Sequence, residues 1–264
     1  MIMNKAVPVI VLVLLFGAAA WYFLTKPPEA VHELPPPEIA PAQTVTEQPL
    51  PVPETTVVED VPEAEPEVVL QPLPALSESD TEVTQALADI AGSARLADYL
   101  VVDQLISRAV ASIDSLTSRQ VPVHISPVRP AGDKFIVETD GEKLVLSPEN
   151  FARYDGYIAL LREMDSEALV AFYRRYYSLF QQAWEQNGGE GSFNDRLAEV
   201  IDNLLQTPEP SEPVYLVKPE AVYLYEDPEL EALTAGQKVL VRMGSANAAV
   251  VKEKLKAFKA EMGL

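Results

Sequence analysis

Residues 6–24 contain no charged or strongly polar side chain, and residues 27–74 follow them with a composition dominated by Pro, Glu, Val, Ala and Thr. Neither stretch can supply part of a globular core: the first is apolar on every side, and the second buries too little apolar surface to offset the entropy of ordering it. Any compact fold is therefore confined to residues 75–264. As a helix the apolar run spans ~28 Å, close to the ~30 Å hydrocarbon thickness of a bilayer. Trp21 and Tyr22 lie at its C-terminal end, Lys5 and Lys26 bracket it, and Pro8 falls in the first turn, where its missing N–H costs least. A transmembrane anchor is expected. The competing reading is a cleaved signal peptide with Ala18, Ala19 and Ala20 as the small-residue site, but the apolar character continues through Leu24.

Orientation rests on a slight bias of positive charge towards residues 1–5, which predicts a short cytoplasmic end and export of everything after the span. The chain has no cysteine, which fits an exported domain that does not depend on disulfides. Within residues 27–74, Pro35 to Pro37 are consecutive, and ten acidic residues from Glu29 to Glu67 face no Lys or Arg. Self-repulsion should extend this segment into a disordered tether, with a reach between ~40 Å as a flexible coil and ~150 Å as polyproline II. A ligand for a proline-binding groove is the functional alternative to a solvated spacer. The formal charge of -20 argues against nucleic acid as a partner. The tether carries about half of that charge, and no repeat of fixed period is present.

The remaining residues predict a mainly α domain with a small β-hairpin. Ser79 or Asp80 caps a helix that Gly92 stops, and Tyr99, Val102, Ile106, Val110, Ile113 and Leu116 mark a second, so the pair is a helical hairpin. Residues 121–126 suggest a short edge strand. Residues 135–146 form a hairpin around Asp140-Gly141, which would set Val137 against Leu144 and Glu138 against Lys143. Ser147-Pro148 starts a helix whose buried face is Phe151, Tyr154, Ile158 and Leu161. Residues 166–187 form the next, with Leu169, Tyr173, Tyr176, Phe180 and Trp184 on one stripe. Ser192 opens another, with Asp195 at the capping-box position. Residues 214–225 supply two short strands, Asp227-Pro228 a short helix, and residues 245–262 a last amphipathic helix.

The chemistry available is sparse. The two histidines, His32 and His124, are too few for a multi-histidine metal site and have no partner for a triad. Gly188-Gly189-Glu190-Gly191 lacks the Gly-Lys-Ser/Thr of a phosphate loop, and Glu226 to Glu231 lacks the alternating spacing of a calcium loop. No catalytic residue and no cofactor are therefore expected. Glu149, Asp165 and Asp202 are the carboxylates to inspect for glycoside hydrolysis. An aromatic and basic group offers a candidate interaction surface instead: Asn150, Arg153, Tyr154, Tyr173, Arg174 and Arg175, with Lys238 and Arg242 as a second basic spot. The alternative is that the tyrosines fill the core and the arginines pair with nearby acids. For residues 238–242, helix and strand are both open.

Ser147-Pro148-Glu149-Asn150-Phe151-Ala152-Arg153-Tyr154, Tyr173, Phe193, Ile201-Asp202-Asn203-Leu204-Leu205 and Pro208 resemble domain-of-unknown-function family 3014. The similarity continues through Tyr223, Asp227-Pro228-Glu229-Leu230-Glu231 and the fairly specific block Gln237-Lys238-Val239-Leu240-Val241-Arg242-Met243-Gly244, covering roughly residues 73–264. Ser178-Leu179 departs from the Pro-Leu expected after the paired tyrosines. The resemblance implies a single-pass bacterial envelope protein and assigns no catalytic residue. The expectation is an inner-membrane protein, anchored through residues 6–24, whose periplasmic domain binds or scaffolds an envelope protein. The alternatives are a carboxylate-dependent cell-wall hydrolase and a chaperone-like subunit of an envelope transport complex.

Overall fold

The computed structural model describes residues 72–91, 96–132 and 134–264. The span expected at residues 6–24 and nearly all of the tether lie outside them. Among the described residues no helix is long and apolar enough to cross a membrane.

Helix α1, Asp80–Ala91, buries Val83, Leu87 and Ala91 at four-residue steps. Its first carboxylate works elsewhere: Asp80 accepts the backbone N–H groups of Gln104 (2.7 Å) and Leu105 (2.8 Å). It thus caps a later helix across 25 residues of chain. Asp80→Ala leaves two N–H groups of that helix unpaired, and is expected to cost about 1–2 kcal/mol in urea unfolding.

The expected second helix of the hairpin is split in two. A single turn, α2 (Leu96–Tyr99), is separated from α3 (Leu105–Ser115). The proline-rich strand downstream captures the intervening backbone: Val101 N donates to Pro127 O, Arg129 N donates to Tyr99 O, and Leu100 forms a bridge with Val128. Those groups cannot also serve a helix ladder, so Val102 leaves the apolar stripe and is exposed. The edge strand expected at residues 121–126 is instead a 3-10 turn, Val123–Ile125, in which Ile125 N reaches Pro122 O. Extended pairing is displaced to Val128.

Strands β1 (Val137–Asp140) and β2 (Lys143–Leu146) form the expected hairpin, but with a register two residues away. Val137 faces Leu146 and Glu138 faces Val145, because Asp140 pairs with Lys143 and the turn is Gly141-Glu142. Gly141 alone takes a positive φ, 62°, as a turn with glycine first requires. A shift of two keeps every side chain on its original face. Strands β3 (Tyr215–Val217) and β4 (Leu224–Tyr225) extend the hairpin into an antiparallel sheet in the order β1-β2-β3-β4.

The helical layer is built around α6, Ser166–Gln186, which runs unbroken through Ser178-Leu179 and buries Leu169, Tyr173, Tyr176, Phe180 and Trp184. Before it come α4 (Glu149–Ala152) and α5 (Asp155–Glu163); after it comes α7 (Phe193–Leu205), capped by Ser192 through Asn194 N rather than through Asp195. Phe193, Leu197, Val200 and Ile201 of α7 are wholly buried against this layer. Helix α8 (Pro228–Ala232) starts on Asp227, which accepts from Glu229 N. Helix α9 (Ala235–Arg242) has a capping box, Thr234 with Gln237, and every one of its residues is buried. Helix α10, Ser245–Met262, closes the domain with Val251, Leu255 and Phe258 inward.

A second, smaller core joins sheet to helices: Leu146, Val214, Leu216 and Tyr225 pack with Leu230 of α8 and Val241 of α9. Alternation then turns Glu138, Val145 and Tyr215 to the opposite, outer face of the sheet.

Candidate functional site

Most of the aromatic and basic group expected to form a surface is inside the fold. Asn150, Tyr154, Tyr173, Lys238 and Arg242 are all buried, so the second basic spot is not a surface feature. Helix α9 is short and enclosed on all sides, and its two cations are drawn inward by local partners. Lys238 Nζ donates to Glu231 Oε1, while Glu231 Oε2 accepts Tyr225 N at 2.9 Å. The Arg242 guanidinium lies 5.7 Å from the centre of the Tyr225 ring. A buried charge needs such compensation, because its desolvation otherwise costs several kcal/mol.

The tyrosines of this cluster offer no base at neutral pH. Burial pushes Tyr154 up to about 12, against the opposing pull of Arg242 and Arg153. Burial also raises Tyr225, again opposed by Arg242. Both phenols stay protonated, and the Tyr225 hydroxyl donates to Lys238 O at 3.4 Å.

Asn150 is an internal staple. Its carbonyl accepts Ile136 N (2.9 Å) and Arg153 Nη1 (3.1 Å), and its amide donates to Ile136 O (2.6 Å) and Ser147 O (2.8 Å). Arg153 Nε donates to Ala131 O. Tyr173 donates to Asn194 Oδ1 at 2.7 Å, and burial raises its pKa strongly. Only Arg174 of the eight candidates is fully exposed, and it reaches Glu261 O at 3.0 Å. Arg175 is half-buried, 3.9 Å from Glu82. Arg153, Arg174 and Arg175 thus turn to three different neighbours instead of converging.

Two of the three carboxylates singled out for hydrolysis are likewise occupied. Asp165 caps α6 through Ala168 N, and Asp202 pairs with Lys259. Glu226 bonds Lys143 at 2.9 Å, and Glu149 is exposed in the first turn of α4. Among the described residues no group of three His, Cys, Asp or Glu side chains is placed to hold a metal ion.

Among the described residues a polar cleft of about 450 Å³ opens between α1, α3 and α6, lined by Asp80, Gln104, Ser107, Gln182 and Gln186, and a pair of more apolar clefts opens beside the loop between α7 and β3, residues 206–214. The first, of about 320 Å³, has buried Val145, Leu146 and Val214 and half-buried Phe151 as its apolar lining. Exposed Pro148 and Pro213 flank it, with Glu138 and Glu212 at the rim. Glu138 and Val145 come together because they face each other across the hairpin, and Ser147 Oγ donates to Glu138 Oε1. The second cleft, about 670 Å³, shares Pro213 and Val214 and extends past Tyr215 to Leu230 and Leu233, with Glu226, Asp227 and Glu229 alongside.

As members of a cleft none of these residues stood out in the sequence, where Glu226 to Glu231 mark a helix start and Glu138 a hairpin position. The usable signal was Pro208, Pro210 and Pro213 within six positions, which removes three backbone donors from the loop before Val214 O accepts Leu146 N at 2.9 Å.

The arrangement has the character of a recognition surface: an apolar floor, rigid proline walls and a charged rim. The chain matches no curated protein and no solved structure. The model of the protein family of unknown function DUF3014 matches residues 105–259, from the start of α3 almost to the end of α10. That match takes in both of the more apolar clefts and the contacts of Asn150, Arg153 and Lys238, and the chain belongs to the DUF3014 family.

Proposed function

We propose that this protein is a membrane-anchored binding or scaffold module of the bacterial envelope, held by residues 6–24 and exposing its helical domain in the periplasm. The observation that carries the reading is the division of labour among the polar residues. Asn150, Arg153, Asp202, Asn203 and Lys238, from the blocks shared with the family, are spent on internal bonds, while the cleft beside β2 is lined by Val145, Phe151, Pro213 and Val214. A hydrolase would turn polar groups towards its substrate, whereas the floor of this cleft is apolar. A tether reaching ~40–150 Å would let such a module meet a partner well away from the bilayer.

The test uses the full chain in cells, with a photo-crosslinking residue in place of Pro148, Pro213 or Arg174 in turn. Discrete adducts with an envelope protein at Pro148 and Pro213, and few at Arg174, are expected. The C-terminal domain should be digested by protease added to spheroplasts but not to intact cells. Protection of that domain in spheroplasts would overturn the location, and absence of adducts at all three positions would overturn the binding role.

A further inference from the structure

The cleft beside β2 has a rim of one sign. Its two rim side chains, Glu138 and Glu212, are both carboxylates, and Asp227 and Glu229 extend the same sign along the neighbouring cleft. The cations nearby are committed: Lys143 to Glu226, and Lys252 to Thr207 O at 2.7 Å with Glu209 at 3.7 Å. Between the carboxylates the surface is apolar, with Val145 and Leu146 beneath Pro148 and Pro213. A volume of about 320 Å³ is at the small end of ligand sites and suits one or two side chains rather than a cofactor.

We infer that this cleft takes a basic segment of a partner protein, an apolar side chain entering over Val145 while flanking Lys or Arg side chains meet Glu138 and Glu212. The inference rests on the binding-module reading and adds the chemistry of the occupant. Charge decides among candidate occupants. The chain's own tether carries ten acids and no Lys or Arg between Lys26 and Arg95, so the rim repels it. A second copy of the chain, at a net charge of -20, and an anionic lipid surface are disfavoured for the same reason.

The test measures fluorescence anisotropy with purified full chain in non-ionic detergent. The probes are a labelled peptide alternating Lys with Leu and Val, and a twin with Glu in place of every Lys. The basic peptide should bind and the acidic twin should not. Glu212→Gln alone should weaken binding about threefold, and Glu138→Gln with Glu212→Gln about tenfold, as loss of two rim ion pairs predicts. The affinity lost on adding salt should shrink in the double variant. Circular dichroism melts check that both variants remain folded; Glu212→Gln serves alone if the double variant does not.

Equal binding of the two peptides, no binding of either, or unchanged affinity in the folded variants would overturn the inference. So would adducts at Pro213 whose linked partner segment is acidic, an outcome that leaves the binding-module reading standing. No adduct at any position removes that reading, and this inference with it.

Discussion

Gly244→Ala should destabilise the domain by about 2–6 kcal/mol, because two penalties coincide at one residue. Gly244 joins α9 to α10 with φ 82° and ψ 157°, a backbone region that is essentially reserved for glycine and costs any other residue about 1–3 kcal/mol. A Cβ built there would also lie 2.7 Å from Phe151 Cγ, so the ring that lines the cleft would have to move. Overpacking of this kind adds about 1–3 kcal/mol. The two contributions are separable. Phe151→Ala removes the ring, so in the double variant the clash term should vanish while the backbone term stays, giving a coupling of roughly 1–2 kcal/mol in a double-mutant cycle of urea unfolding. A Gly244→Ala protein within about 0.5 kcal/mol of the parent would show that the joint relaxes freely. Strict additivity with Phe151→Ala would assign the whole loss to the backbone.

This joint also shows why parts of the molecule were legible in the sequence. Helix periodicity found α6, α7 and α10 because each puts one continuous stripe on the core, and a residue's membership of such a stripe depends only on its own helix. Cap chemistry located Ser192 and Asp227 for the same local reason. What failed depends on distant partners. Val102 continues the stripe of Ile106 on paper, yet the backbone of Tyr99 and Val101 bonds residues 127–129 and ends the helix first. Asp80 looks like the cap of its own helix and serves one that begins at Leu105. Hairpin register followed Asp140-Gly141 as the turn, whereas pairing of Leu144 and Val145 with β3 accompanies a register set around Gly141-Glu142.

The site was the least legible part. Arg153, Lys238 and Arg242 have the residue types of a binding hot spot, and nothing in their spacing tells an inward cation from an outward one. Lys238 is committed to the interior by Glu231, seven residues earlier on a different helix. The cleft is made of unremarkable residues, Val145, Phe151 and Pro213, brought together from a strand, a helix and a loop, and no pattern along the chain marks such a set.

Alkaline pH should unfold the domain through its buried phenols. An ordinary tyrosine ionises near pH 10, whereas burial holds Tyr154 up to about 12. Between those values the unfolded chain has released a proton that the native chain keeps. The native state is therefore fully favoured below about pH 10 and loses that advantage as pH rises through about 12. Two units for a wholly enclosed ring correspond to about 2.7 kcal/mol. Tyr157 and Tyr176 are also raised to about 12, by burial first and then by Tyr99 or Glu82. Tyr173 and Tyr225 shift the same way by burial. With a domain stability of only about 5–15 kcal/mol, the combined loss is enough for cooperative unfolding. Phenolate absorbance should rise in two stages, exposed tyrosines first and the buried set together with loss of the helical dichroism signal. Tyr154→Phe should move the second stage to higher pH, since one proton fewer is released on unfolding. A single stage near pH 10 with helical signal intact would mean that water reaches these rings in the native state, and that the core around Arg242 and Tyr225 is open rather than sealed.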